Sequence, residues 1–235
     1  MSRSPSLPDI EDIHRYHRAT RLTRRQIVKL AQKLESEPDD YAAHLSLAAY
    51  YHRKHWKGEE NADYYLWLLT WLILNHPKNP IHSLLHTMHD GPQYYKARNL
   101  WFKQVRRYPN DVFVLDHAAQ CCEMVDPHYS RKFWERARLL DPKCEEWPRN
   151  LSRLYMRKAQ QANAGSRKYW IRKTKEAVLN AFDLTKDKDR WIVDLMRDLE
   201  DLAEKFNCVA DYEEVRKKRL DYRLRNIRQK NSEKD

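Results

Sequence analysis

The chain has 235 residues, 41% hydrophobic and 34% charged, with a formal net charge of +11 and a pI near 9.4. That apolar content excludes a disordered composition, and three glycines in all, Gly58, Gly91 and Gly165, exclude a turn-rich all-β fold. The basic balance favours polyanionic partners such as nucleic acid, an anionic membrane surface or acidic protein segments.

The segment Met1–Asp9 holds Ser and Pro without periodicity, and MSRSPSLPDIEDIHRYHR lacks the apolar stretch of a secretory signal. Residues 1–20 are therefore expected as a flexible leader. Thr23 is the expected N-cap of a helix running to about Glu35, with Ile27, Leu30 and Leu34 on one face. Glu37–Asp40 ends it and starts the next helix, Tyr41–Trp56, with Leu45, Ala48, Ala49 and Tyr51 facing inward. After a turn at Lys57–Glu60, Asn61–Asn75 is the most apolar helix. Its run YYLWLLTWLIL is too short to span a bilayer and reads as a buried helix, so no membrane span is expected.

His76-Pro77 closes that helix, a shorter one is expected over Pro80–His89, and Asp90-Gly91-Pro92 breaks it. Gln93–Tyr108 follows, carrying Ala97, Leu100, Trp101 and Val105. Asp111–Cys144 reads as a complete helix–turn–helix unit with its turn at Asp126-Pro127. A helix over Glu145–Gln160, a polar loop Gln161–Ser166, and helices over Lys168–Leu184, Asp189–Phe206 and Asp211–Arg228 complete the chain, with residues 229–235 as a polar tail. The four cysteines, Cys121, Cys122, Cys144 and Cys208, have neither metal-site nor disulfide-framework spacing, so a reducing, cytoplasmic compartment is expected.

Pro77, Pro109 and Pro142 recur at spacings of 32 and 33 residues, within the range of helical repeats. The unit Asp111–Cys144 resembles a tetratricopeptide repeat (TPR). Ala118 stands at the small position of the first helix, and Ser130 and Ala137 at the two small positions of the second. Trp134 fills the large aromatic position between them, and Leu139-Leu140-Asp141-Pro142 is the closing phrase. The preceding unit matches through Ala97, Trp101 and Pro109 but has Gln104 where Ala137 falls. The unit from Tyr41 matches through Ala48 and Tyr51, and the following unit through Leu151, Ser152 and Tyr155. The resemblance covers roughly Asp40–Leu184. The phrase Trp71-Leu72-Ile73 before Asn75-His76-Pro77 is also similar to a group of bacterial TPR-like proteins.

The resemblance implies an all-α, right-handed α-solenoid. It would comprise about four irregular repeats of antiparallel helix pairs, an N-terminal helix and a basic C-terminal helix, as one domain over 21–228. It further implies a non-enzymatic scaffold or adaptor that binds a protein or peptide partner in a concave groove. Carried over position by position, that groove holds His52, Arg53, His82, His86, His89, Asp90, Asp116, Glu123, Arg149, Asn150, Arg153 and Arg157. Leu45, Ser46 and Ala49 stand where a carboxylate-clamping TPR carries Lys, Arg or Asn, so that clamp is not expected. The aromatics Trp67, Trp71, Trp101 and Trp134 are expected in the core.

His82, His86 and His89 fall on one helical face at a spacing that can chelate a metal, and His117 and Cys121 repeat the four-residue step. Groove histidines that face solvent or make hydrogen bonds are the expected reading. No HExxH motif, phosphate loop or nucleophile elbow is present, and neither metal, cofactor nor catalytic residue is expected. The stretch Trp147–Lys175 contains no Asp or Glu. Its Arg149, Arg153 and Arg157 form one stripe, and Lys158, Arg167, Lys168, Arg172, Lys173 and Lys175 continue a basic patch with Tyr155, Tyr169 and Trp170 among them. Arginines interleaved with aromatics suit phosphates and unstacked bases, so RNA or DNA binding is the alternative function. A solvated basic face paired with nearby acids such as Glu145 and Glu146 is the structural expectation.

Overall fold

A computed structural model describes residues 9–56, 62–85, 91–185, 190–208 and 212–232. Among these residues the fold is all-α, with eleven α-helices, one short 3-10 helix and no strand. None of the described helices is long and apolar enough to cross a membrane. The chain divides into two compact units, Arg3–Asp141 and Pro142–Asp235, where the sequence suggests one domain over 21–228.

The first unit contains α1 (Ile10–Ala19), α2 (Arg24–Ser36), α3 (Tyr41–Trp56), α4 (Ala62–Asn75), the 3-10 helix Pro80–Ser83, α5 (Pro92–Arg107), α6 (Val112–Cys122) and α7 (Pro127–Leu140). Helix α1 lies inside the stretch expected as a leader. Asp9 caps it by accepting the Glu11 N–H at 3.0 Å, Arg15 pairs with Glu11 at 2.9 Å, and Asp12 and Ala19 are buried. Thr23 caps α2 as expected, in a reciprocal capping box with Gln26. The helix expected over Pro80–His89 is limited to the 3-10 turn Pro80–Ser83 within the described residues, capped by Asn79, whose side chain accepts the Ile81 N–H at 2.9 Å.

Helices α1 and α2 both pack on α3, and from there each helix packs on the next through α7. Leu45, Leu47 and Ala48 of α3, Tyr65, Leu68, Leu69, Leu72 and Ile73 of α4, and Tyr94, Ala97 and Trp101 of α5 form the core. Helix α4 is apolar nearly all round because α3 and α5 flank it. Trp67 departs from the core expectation: it is 49% exposed, while Trp101 and Trp134 are buried and Trp71 partly so.

The α6–α7 pair is built as its small residues suggest. Ala118, Ser130 and Ala137 are fully buried and let the helices approach closely. Ser130 Oγ donates to the Ala119 carbonyl at 2.7 Å, and Trp134 Nε1 donates to Asp116 Oδ1 at 2.7 Å. Asp126, in the link before α7, accepts from Tyr94 Oη at 2.8 Å and from Arg98 at 2.6 Å, which ties α5 to the turn.

The second unit contains α8 (Glu146–Gln161), α9 (Ala164–Leu184), α10 (Arg190–Lys205) and α11 (Glu213–Ser232), packed in sequence. The polar stretch 161–166, expected as a loop, contains only a tight link. Asn163 accepts the Ser166 N–H at 3.0 Å and starts α9 two residues after α8 ends. The core joins Ile171, Val178 and Ala181 of α9 to Ile192, Met196 and Leu199 of α10 and to Tyr212 and Val215. Helix α10 ends with Asn207 in the left-handed region (φ 54°) and the Cys208 N–H donating back to Ala203 O at 2.8 Å, a Schellman closure. Helix α11 is held by Arg219, whose guanidinium forks onto Glu200 with two bonds of 2.6 Å.

Candidate functional site

Three of the sequence-derived groove residues are buried in the first unit. His52 is buried and shares a 2.9 Å hydrogen bond, through Nδ1, with Tyr16 Oη of α1. His82 is buried and donates through Nε2 to the His76 carbonyl at 3.1 Å, against the ring of Trp101. Asp116 is buried beneath Trp134 and also accepts from Gln120 at 2.8 Å. These side chains hold helices together instead of lining an open groove. Arg53 remains exposed and donates to Thr20 at 3.2 Å, and Glu123 is partly exposed. His86, His89 and Asp90 lie outside the described residues.

His82 meets His117, with ring centroids 5.2 Å apart. His117 donates through Nδ1 to the Pro77 carbonyl at 3.2 Å. Burial pushes the pKa of His82 well below its ordinary value and that of His117 down to about 4, so both rings are neutral at pH 7. The two rings donate to the His76 and Pro77 carbonyls in the link that follows α4. Cys121 and Cys122 are buried free thiols, and a hydrogen bond with Cys121, followed by burial, raises the pKa of Cys122. Among the described residues no group of three His, Cys, Asp or Glu side chains is placed to hold a metal ion.

A cleft of about 730 Å³ opens in the same unit beside the link from α4 to the 3-10 helix. Asp9, Asp12, His76, Lys78, Asn79 and Tyr108 contribute to its lining. Asp12 Oδ2 accepts from Tyr41 Oη at 2.6 Å and from Asn79 Nδ2 at 3.3 Å, and Asn79 Nδ2 also reaches Tyr41 Oη at 2.8 Å. Burial and the bond to Asp12 raise the Tyr41 pKa well above its ordinary value, so its hydroxyl stays a donor. Burial lowers the pKa of His76, whose ring packs against Tyr41 with centroids 4.7 Å apart. Lys78 is drawn to Asp111 at 2.9 Å and lies 4.7 Å from the centre of the Tyr108 ring.

In the second unit the basic run separates into engaged and open cations. Arg149 pairs with Glu146 at 2.7 Å and lies over Trp191 at 4.8 Å. Arg167 closes the end of α8 by donating to the Ala159 and Ala162 carbonyls, and stacks 3.9 Å from the centre of the Phe206 ring. Lys173 pairs with Glu176 at 2.7 Å and Lys175 with Glu214 at 3.1 Å. Arg153, Lys168 and Arg172 are exposed, Asn150 and Arg157 partly so, and Lys158 lies over Trp170 at 5.3 Å. The expectation of a basic face paired with local acids thus holds for Arg149, Lys173 and Lys175.

No protein-family model, curated protein or solved structure matches this chain. Its site residues are therefore assigned on geometry.

The cleft residues were not singled out by sequence. The phrase Asn75-His76-Pro77-Lys78-Asn79-Pro80 reads as a helix stop, and Asp12 falls in the expected leader. Doubled prolines, each preceded within two residues by Asn, are a signal for a structured link, but not for a buried carboxylate opposite it. Also unforeseen is a ladder of rings over α3 and α4. His44 stacks on Trp71 at 3.7 Å, and Tyr64 stacks on the exposed Trp67 at 5.5 Å.

Proposed function

We propose that this chain is a non-enzymatic, TPR-like helical-repeat scaffold that binds a protein or peptide partner. The contacting side chains would come from the first helices of its pairs: Arg53 and Glu123 in the first unit, and Asn150, Arg153 and Arg157 in the second. The observation that carries this reading is the construction of α6 and α7. Buried Ala118, Ser130 and Ala137 let the pair close while Trp134 fills the space between them, as the repeat requires. The free, buried state of all four cysteines supports a reducing, cytoplasmic setting.

The ion pairs in the second unit favour a protein partner over nucleic acid. Phosphate binding draws its affinity from cations that neutralise backbone charge. Here Arg149, Lys173 and Lys175 are held by carboxylates, and Arg167 by backbone carbonyls. Affinity capture with and without nuclease, using wild type, Arg53→Glu and Arg153→Glu, tests the proposal. A partner that survives nuclease and is lost from at least one variant is expected. Capture that disappears entirely with nuclease would replace it with the nucleic-acid reading.

A further inference from the structure

The cleft beside α1 holds an unbalanced charge. Asp12 is only 9% exposed, yet no described cation reaches its carboxylate. Arg15, one turn along α1, turns to Glu11, and Lys78 across the cleft turns to Asp111. Tyr41 and Asn79 donate to Oδ2, which leaves Oδ1 as an acceptor with no described donor on a residue that lines the cleft. Oδ1 is not sealed from solvent but is open to the cleft, and the neutral donors and the N-terminus of α1 hold the carboxylate without a cation. Asp9, three residues earlier, adds a second carboxylate on the same side. In a protein of net charge +11, this cleft is locally anionic.

We propose that the cleft is a binding site for an organic cation, a primary ammonium or guanidinium group, which docks on Asp12 Oδ1. An ammonium group has three N–H donors and no acceptor, so it complements a carboxylate oxygen flanked by a second carboxylate. His76, Pro77 and Tyr108 line the cleft beside the carboxylates, with Lys78 over the Tyr108 ring. A hard divalent cation fits less well, because it needs six or more oxygen ligands and the cleft supplies two carboxylates. The same group can arrive as a lysine or arginine side chain of a peptide or as a free amine. The proposal does not depend on the scaffold reading above, since either source would fill the site.

The test is titration of the ¹⁵N-labelled full chain at low salt. The probes are Nα-acetyl-lysine methylamide, its uncharged analogue Nα-acetyl-norleucine methylamide, n-butylammonium and calcium chloride. The lysine probe is expected to shift the Asp12, Lys78 and Asn79 amides saturably, and the norleucine probe is not. Asp12→Asn keeps an acceptor for Tyr41 and should weaken the lysine probe by at least about tenfold, the loss of one charge-assisted hydrogen bond. A peptide source is indicated if the lysine probe binds more tightly than n-butylammonium, and a free amine if the two are equal. Equal binding of the norleucine probe, or calcium shifting these amides when neither amine does, overturns the proposal. Both comparisons use wild-type protein, so they stand even if Asp12→Asn does not fold.

Discussion

The α6–α7 pair permits a sharp test of how the first unit is held together. Trp134 is 1% exposed, and its indole Nε1 donates to Asp116 Oδ1 at 2.7 Å. Trp134→Phe keeps a ring in the site but removes that donor and part of the fused ring system. Loss of a hydrogen bond to a charged acceptor costs about 1.5–3 kcal/mol, and the void left by the smaller ring adds roughly 1 kcal/mol. The expected destabilisation is about 3 kcal/mol, a fall in Tm of roughly 6–12 °C for a chain of this size. Urea unfolding followed by circular dichroism gives the total. Amide hydrogen exchange in α6 and α7 assigns the loss to the first unit, because the two units need not unfold together. Asp116→Asn alone should cost less, since an amide oxygen still accepts from the indole. The double variant should then be non-additive by about 1 kcal/mol or more. A Trp134→Phe cost below about 0.5 kcal/mol, or strict additivity, would show that the bond does not support the pair.

Other outcomes follow from the buried polar groups. His117 binds its proton at about pH 4 in the folded chain against about 6.5 unfolded, so the unfolded state takes up the proton first as pH falls. Its contribution is fully present above about pH 6.5 and is lost between there and pH 4, up to about 3 kcal/mol; His117→Gln should flatten stability–pH curves over that window. Arg219→Ala leaves Glu200, which is 6% exposed, as a buried carboxylate without its guanidinium fork, and should cost roughly 3–5 kcal/mol in urea unfolding. Arg219→Leu with Glu200→Leu should recover most of that loss, and no recovery would mean the pair is net stabilising. Arg167→Ala removes the donors to Ala159 and Ala162, and should speed amide exchange in the last turn of α8 by about tenfold.

Much of the helical framework was legible because proline and capping residues mark it. Thr23 and Asp111 each accept a backbone N–H in the first turn of their helices, and so does Asn163, which the sequence places in a loop. The small residues of α6 and α7 likewise announced a close helix pair. Side-chain direction was less legible. Periodicity places Trp67 and Trp71 on adjacent turns, but only the neighbouring helices decide which is covered, and Trp67 is left half exposed beside Tyr64. His52, His82 and Asp116 fall in the groove when the concave positions of the repeat are carried over by resemblance. Each is instead buried and hydrogen-bonded outside its own helix: to Tyr16, to the His76 carbonyl six residues back, and to Trp134. The division at Asp141 and Pro142 was not legible, since the proline there has the same spacing as those within the first unit.

The same logic separates structural from recognition chemistry at the two buried charges of α1 and α10. Glu200 and Asp12 are similarly enclosed, yet Glu200 receives a bidentate guanidinium and Asp12 receives two neutral donors on one oxygen. The charge of Glu200 is matched within the fold, whereas Asp12 keeps one oxygen open to the cleft. Two cations, Arg15 and Lys78, belong to the surroundings of Asp12 and both are committed to other carboxylates, Glu11 and Asp111. The missing counter-charge is therefore not for want of basic residues nearby. Asp12 reaches this position only because α1 packs on α3, with Tyr16 fixed to His52 and Thr20 to Arg53. The stretch that composition suggests is a leader thus carries the one carboxylate of the cleft whose geometry asks for a ligand.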